Sequence, residues 1–120
     1  MGIMSYIFDV NDETVWSPAL RAGRLYTLMA QDVAEVLGVE TGMTAMASDF
    51  WDIDIDRFEL FVRAMYEKYF SSSHPVLKGL IGSVLAPSIV VLERGGRAVT
   101  PASAEEREFI LRTHDLSMAR

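Results

Sequence analysis

The chain contains no cysteine. That absence excludes disulfide staples, thiolate zinc sites, iron–sulfur ligation and thiol nucleophiles together. Histidine is scarce, and neither His74 nor His114 has a second histidine or a carboxylate nearby in sequence at metal-ligand spacing. Positive charge is also short, with 11 Lys and Arg against 17 Asp and Glu, a net charge of −6 and a pI near 4.8. Such a balance opposes the counterion release that drives nucleic-acid binding and opposes adsorption to anionic lipid. The start, Met1 to Tyr6, lacks the basic residues and apolar run of a signal peptide, and Tyr6 stands where a myristoylation signal needs Ser or Thr. A cytoplasmic location without an export or lipid signal is the expectation. The one long apolar stretch, Val76 to Leu92, is interrupted by Lys78, Gly79, Gly82, Ser83 and Pro87, so it reads as a buried core helix rather than a membrane span.

What is present is enough apolar material, 50% of 120 residues, to build one domain over residues 1–120 without a staple. Tyr6 to Val10 reads as a short strand ending at the turn residues Asn11 and Asp12. Ser17-Pro18 reads as the N-cap and first position of a helix. Leu20, Leu25, Leu28, Met29, Val33, Val36 and Leu37 then recur near helical spacing up to Gly38. Residues near 49–53 read as a second short extended segment. A second helix starts at Asp54 or Asp56 and presents Phe58, Phe61, Val62, Met65 and Tyr69. A third follows His74-Pro75 and runs to Gly95-Gly96, with a kink expected at Pro87. Ser103 with Glu106 forms a capping box for a fourth, expected to reach about Leu116. The predicted class is therefore mostly α, or α+β: about four helices with a small two-stranded β element from the N-terminal segment and residues near 49–53.

The run Tyr6-Ile7-Phe8-Asp9-Val10-Asn11-Asp12-Glu13-Thr14-Val15-Trp16-Ser17-Pro18 resembles an uncharacterised family of short actinobacterial proteins, through Phe-Asp-Val and then Asp-x-Thr-x-Trp-x-Pro. The similarity continues through Gly42, Asp49-Phe50, Ile53-Asp54, His74-Pro75 and the helix ending at Gly95. The resemblance implies one shared fold over most of the chain and carries no activity and no functional residue with it.

Charge is unevenly placed: residues 1–60 hold 11 acidic and 3 basic side chains, and residues 61–120 hold 6 and 8. Two aspartate-rich, tryptophan-bearing segments, 9–16 and 49–56, bracket the first helix. If their strands pair, the carboxylates converge, and they would bind a hard cation or a basic protein surface. Asp52, Asp54 and Asp56 have alternate spacing but lack the glycine of a calcium loop and run into a helix. The simpler account has Asp54 or Asp56 capping that helix and Asp9 and Asp12 serving turn amides. Trp16 and Trp51 either pack on the first helix or anchor a ligand beside the carboxylates. Serines 71–73 and His74 lack the elbow and oxyanion loop of a hydrolase. The glycines at 79, 82, 95 and 96 fit neither the phosphate-loop nor the dinucleotide pattern.

The reading with most support is a non-enzymatic interaction protein, in the style of an immunity or antitoxin-like inhibitor, that offers a basic or neutral partner an acidic surface of Asp9, Asp12, Glu13, Trp16, Asp49, Trp51, Asp52 and Asp54. No catalytic residue, metal or cofactor is assigned. The alternatives are a small-molecule binder or small enzyme with an aspartate-lined pocket, and a homodimer formed through apolar segments such as 76–92.

Overall fold

A computed structural model describes residues 5–120, so the reading of the chain's start falls largely outside the described residues. Two β-hairpins, four helices and a mixed sheet make up the fold. Strand β1 (Ile7–Val10) turns back into β2 (Glu13–Trp16) through Asn11 and Asp12. Both turn residues have positive φ, 51° and 66°. This is the geometry of a two-residue type I′ turn, whose twist matches that of the strands it joins. Strand β3 (Met43–Ala47) pairs with β4 (Phe50–Ile53) in the second hairpin. The hairpins meet where β1 lies parallel to β4, giving the order β2-β1-β4-β3.

The sheet thus has four strands, where two were expected. The expected pair is present as β1 and β4. The other two were hidden because Asn-Asp is an uncommon spelling of a hairpin turn and Met-Thr-Ala-Met-Ala has little intrinsic strand preference.

Alternation sorts the strands into faces. Phe8 and Val10, with Ile53 and Met43, face inward and are buried. A register shift between Phe8 and Asp9 leaves Val15 as an extra residue in β2, and consecutive Val15 and Trp16 are both buried. A bulge re-aims neighbouring side chains in this way.

Helix α1 (Leu20–Leu37) is capped at its C-terminus by Gly38 in the left-handed conformation. Its N-cap is Ala19, with no side-chain bond. Ser17 and Pro18, expected to open it, continue the extended backbone instead: the Ser17 amide donates to the Ala119 carbonyl, and the Pro18 carbonyl accepts from Tyr6. The fully buried face of α1 is Gly23, Tyr26, Thr27, Ala30 and Ala34. Of the large apolar residues whose spacing announced the helix, Leu20, Met29, Val33 and Leu37 pack partly buried against that core. Leu25, Leu28 and Val36 are 59%, 47% and 76% exposed.

Helix α2 (Ile55–Ser71) is capped by Asp54, which accepts from the amides of Asp56 and Arg57. Helix α3 (Pro75–Arg94) is capped by the His74 side chain and continues through Pro87. By length and hydropathy α3 could cross a membrane, and here it places Ile81, Val84, Leu85 and Ser88 to Leu92 in the core. Helix α4 (Ala104–Thr113) opens on the Ser103 cap and stops short of Leu116. Its Phe109 ring lies 4.8 Å from that of Tyr69. His114 does acquire a carboxylate neighbour, Glu93 at 3.0 Å, from a helix remote in sequence.

The sheet, α1 and α3 meet at one cluster. Phe8 stacks on Trp16 at 5.2 Å between centroids, and Tyr26 meets both edge-on at 5.8 and 5.1 Å. The Tyr26 hydroxyl lies 2.6 Å from Ser88 Oγ, which donates to the Val84 carbonyl, so Tyr26 is the donor. Burial holds the Tyr26 phenol well above its ordinary pKa, against a smaller opposing effect of Ser88.

Three substitutions have expected outcomes in denaturant unfolding. Gly79→Ala, where a Cβ meets nothing within 4 Å, should stabilise α3 by about 0.5–1 kcal/mol. Gly23→Ala should destabilise instead, because its Cβ would lie 2.3 Å from Tyr6 Cγ. Ser88→Ala should cost about 1–3 kcal/mol by leaving the buried Tyr26 hydroxyl without its acceptor, and adding Tyr26→Phe should recover part of that loss.

Candidate functional site

The two acidic segments converge. Asp9 and Asp52 are register partners on the parallel pair β1 and β4. Thr14 on β2 pairs with Asp9, and Thr44 on β3 with Asp52, so a Thr-Asp-Asp-Thr row crosses all four strands. The Thr14 hydroxyl donates to Asp9 Oδ1 at 2.8 Å. Alternation puts this row on the face opposite Phe8 and Ile53. Beside it on that outer face are Ile7, 37% exposed, and its register partner Phe50, half-buried. Glu13 begins β2 and Asp12 lies in the adjacent turn, both exposed.

The remaining expected site residues lie elsewhere. Asp49 is in the β3–β4 turn at the opposite end of the strands, where its carbonyl accepts from the Ile7 amide. Asp54 caps α2. Trp16 is in the aromatic cluster and only 7% exposed. Trp51, half-buried, follows the inward alternation of Phe8, and its indole Nε1 is buried without a hydrogen-bond partner. Neither tryptophan projects from the outer face.

Ion pairing divides the carboxylates into two groups. Arg97 reaches Asp56 at 2.7 Å and Glu59 at 2.8 Å, tying the segment after α3 to the first turns of α2. Arg63 adds a second bond to Glu59 at 3.0 Å. Arg57 serves Glu40 at 3.4 Å and Asp54 at 3.8 Å. Among the described residues, Asp9, Asp12, Glu13, Asp49 and Asp52 make no ion pair. The hydrogen bonds from Arg63 and then Arg97 lower the Glu59 pKa, outweighing desolvation. No group of three or more metal-ligating side chains occurs among the described residues.

The family model for DUF6086, a family of unknown function, matches residues 4–120. The chain belongs to that family. No curated protein and no solved structure matches it. Membership therefore fixes a shared domain spanning nearly the whole sequence and leaves its chemistry to be argued from the side chains.

Sequence reasoning missed two parts of the site. One is the apolar pair Ile7 and Phe50, which the period-2 alternation of β1 and β4 would have exposed once those strands were paired. The other is a cleft of about 610 Å³ at which Glu35 and Glu40 join Asp52, Asp54 and Arg57. Those residues come from α1, the following loop, β4 and α2, and no local pattern unites them.

A lowered carboxyl pKa stabilises the fold above the unfolded value and ceases to do so as pH falls through the folded one. Stability should therefore decline as pH drops below about 4.5, the ordinary value for this group. Glu59→Gln should flatten that decline in urea titrations taken at successive pH values, with little change in slope above pH 6 or so.

Proposed function

We propose that this protein is an interaction module without chemistry of its own, which docks a basic protein surface on the outer face of its sheet as an immunity or antitoxin-like inhibitor would. The observation that carries the reading is the juxtaposition of Asp9 and Asp52, both without ion pairs, with the apolar pair Ile7 and Phe50 on one solvent-facing surface. An apolar centre with a charged surround is the anatomy of a protein interface, and unpaired carboxylates steer a basic partner toward it. Asp12 and Glu13 extend the negative edge, and Asp54, occupied as a cap, contributes charge alone. The aromatic anchor in this reading is Phe50, in place of the tryptophans. We place the protein in the cytoplasm, with α3 as a core helix.

A second reading rests on the cleft beside Asp52. Its volume is of the size that holds a small ligand, and its lining of Glu35, Glu40, Asp52 and Asp54 around a single Arg57 favours a cationic one.

Affinity capture from the native cell, followed by charge reversal, tests both. Asp9→Lys, Glu13→Lys and Asp52→Lys together should abolish capture of a basic protein, and capture by the unaltered chain should weaken as salt rises. Asp54 is left intact because losing the cap costs about 1 kcal/mol of α2 stability. Undiminished capture by the triple variant would remove the sheet face from consideration. Sensitivity of a bound small cation to Glu35→Gln and Glu40→Gln, with protein capture unaffected, would favour the cleft.

A further inference from the structure

Helix α1 carries a charge pattern that no ion pair among the described residues answers. Arg21 and Arg24 lie seven and four residues before Leu28, and Asp32 and Glu35 lie four and seven after it. At about 3.6 residues per turn, all five fall on one stripe, opposite the core-facing Tyr26, Ala30 and Ala34. All five are exposed. Among the described residues none of the four charges makes a salt bridge. The order of signs also opposes the helix dipole: no acid stands in the first turn and no base in the last. Arginines near the amino end and acids near the carboxyl end are the unfavourable arrangement for an isolated helix. Asp49 lies across a shallow pocket from Arg21 and Arg24, without an ion pair to either.

The pattern is antisymmetric about Leu28, and an antiparallel copy of the same helix is its complement. We infer that α1 is a self-docking surface, on which two copies of this chain associate through antiparallel α1 helices about a two-fold axis passing beside Leu28. In that arrangement Arg24 faces the partner's Asp32, Arg21 faces the partner's Glu35, and Leu28 meets its own counterpart. A two-fold interface requires that residue i meet j wherever j meets i, and the pairing satisfies this at both charged positions. The apolar material lies on the same surface. Leu25 and Val36 are exposed on the flank toward α3. A groove of about 310 Å³ runs there, lined by Met29, Val33, Val36, Leu77 and Leu80. The two-fold brings Leu25 of each copy opposite the groove of the other. Burying this strip covers Leu25, Leu28 and Val36, the large aliphatics of α1 that stay exposed while Leu20, Met29, Val33 and Leu37 pack against the core.

The surface is separate from the sheet face proposed above, so its failure leaves that reading standing. Sedimentation equilibrium on the full chain should give twice the 13.4 kDa chain mass, falling to the single mass on dilution. Arg21→Glu with Arg24→Glu should be monomeric, as should Asp32→Arg with Glu35→Arg. Mixing the two variants should restore the doubled mass, because each supplies the sign the other lacks. Circular dichroism on each variant checks that α1 remains folded. If a reversed variant fails to fold, the native charge background still decides. Leu28→Cys introduces the only thiol in the chain and should cross-link to its own counterpart under mild oxidation. Val36→Cys should not, since the two-fold separates those residues by about 24 Å along the helices at 1.5 Å per residue. A chain that stays monomeric at high concentration overturns the inference. So does a dimer indifferent to the reversals, a mixture that fails to reassociate, or cross-linking at Val36 in preference to Leu28.

Discussion

The packing of Phe8 against Trp16 and Tyr26 is the contact on which the fold depends. Phe8 comes from the first strand of one hairpin, Trp16 from the second, and Tyr26 from the helix that follows. The hydroxyl of Tyr26 then reaches Ser88 in the middle of α3. One cluster thus fixes the sheet, α1 and α3 together, with edge-on and stacked geometries that aromatic rings favour beyond simple area burial. The hydrogen bond adds direction, because a phenol sealed from water must have its partner.

Arg94 performs the complementary task at the other end of α3. Its guanidinium donates to the carbonyl of Val15, the bulged residue of β2, at 2.8 Å and to the carbonyl of Met118 at 2.7 Å. Desolvation lowers its pKa, with a smaller effect from Arg120. No carboxylate is involved in this bridge. A planar fork suits two converging carbonyls, and it holds the sheet and the chain's last residues to α3 where the ladder itself is irregular.

Much of this was legible in the residues, and where it was not the reason is physical. Gly38, Asp54, His74 and Ser103 announced helix boundaries because capping is local chemistry. The start of α1 was misread for the converse reason: Ser17 has the chemistry of a cap, but its hydroxyl is engaged with that of Ser5 at 3.0 Å and its amide with the Ala119 carbonyl, contacts that hold it in extended backbone before the helix begins. The strands β2 and β3 have weak local signals and exist through their neighbours. Site residues divided along the same line. That Asp9 and Asp52 stand side by side was conditional on a strand pairing that sequence could propose but not fix. The burial of Trp16 depended on a bulge, and the company that Glu35 and Glu40 keep with Asp52 depended on where α1 ends. The periodic apolar residues of α1 identified a helix correctly without separating its faces: Leu20, Met29, Val33 and Leu37 pack at the edge of the core, and Leu25, Leu28 and Val36 are exposed. The fully buried face is built of small residues and a tyrosine, which allow the close approach that Gly23 makes against Tyr6.

The parallel pairing of β1 with β4 carries a consequence for how the molecule holds itself together. Each hairpin closes over a two-residue turn, whereas the contact of Ile7 with Phe50 spans the whole of α1. Local hairpins incur little loop entropy, and the distant seam incurs more and forms under the control of topology. Asp9 and Asp52, Ile7 and Phe50 sit on either side of that seam. A partner seated on them would grip both hairpins at once, so its binding energy would be added to the seam, and occupancy would be felt as resistance to the sheet parting down its middle.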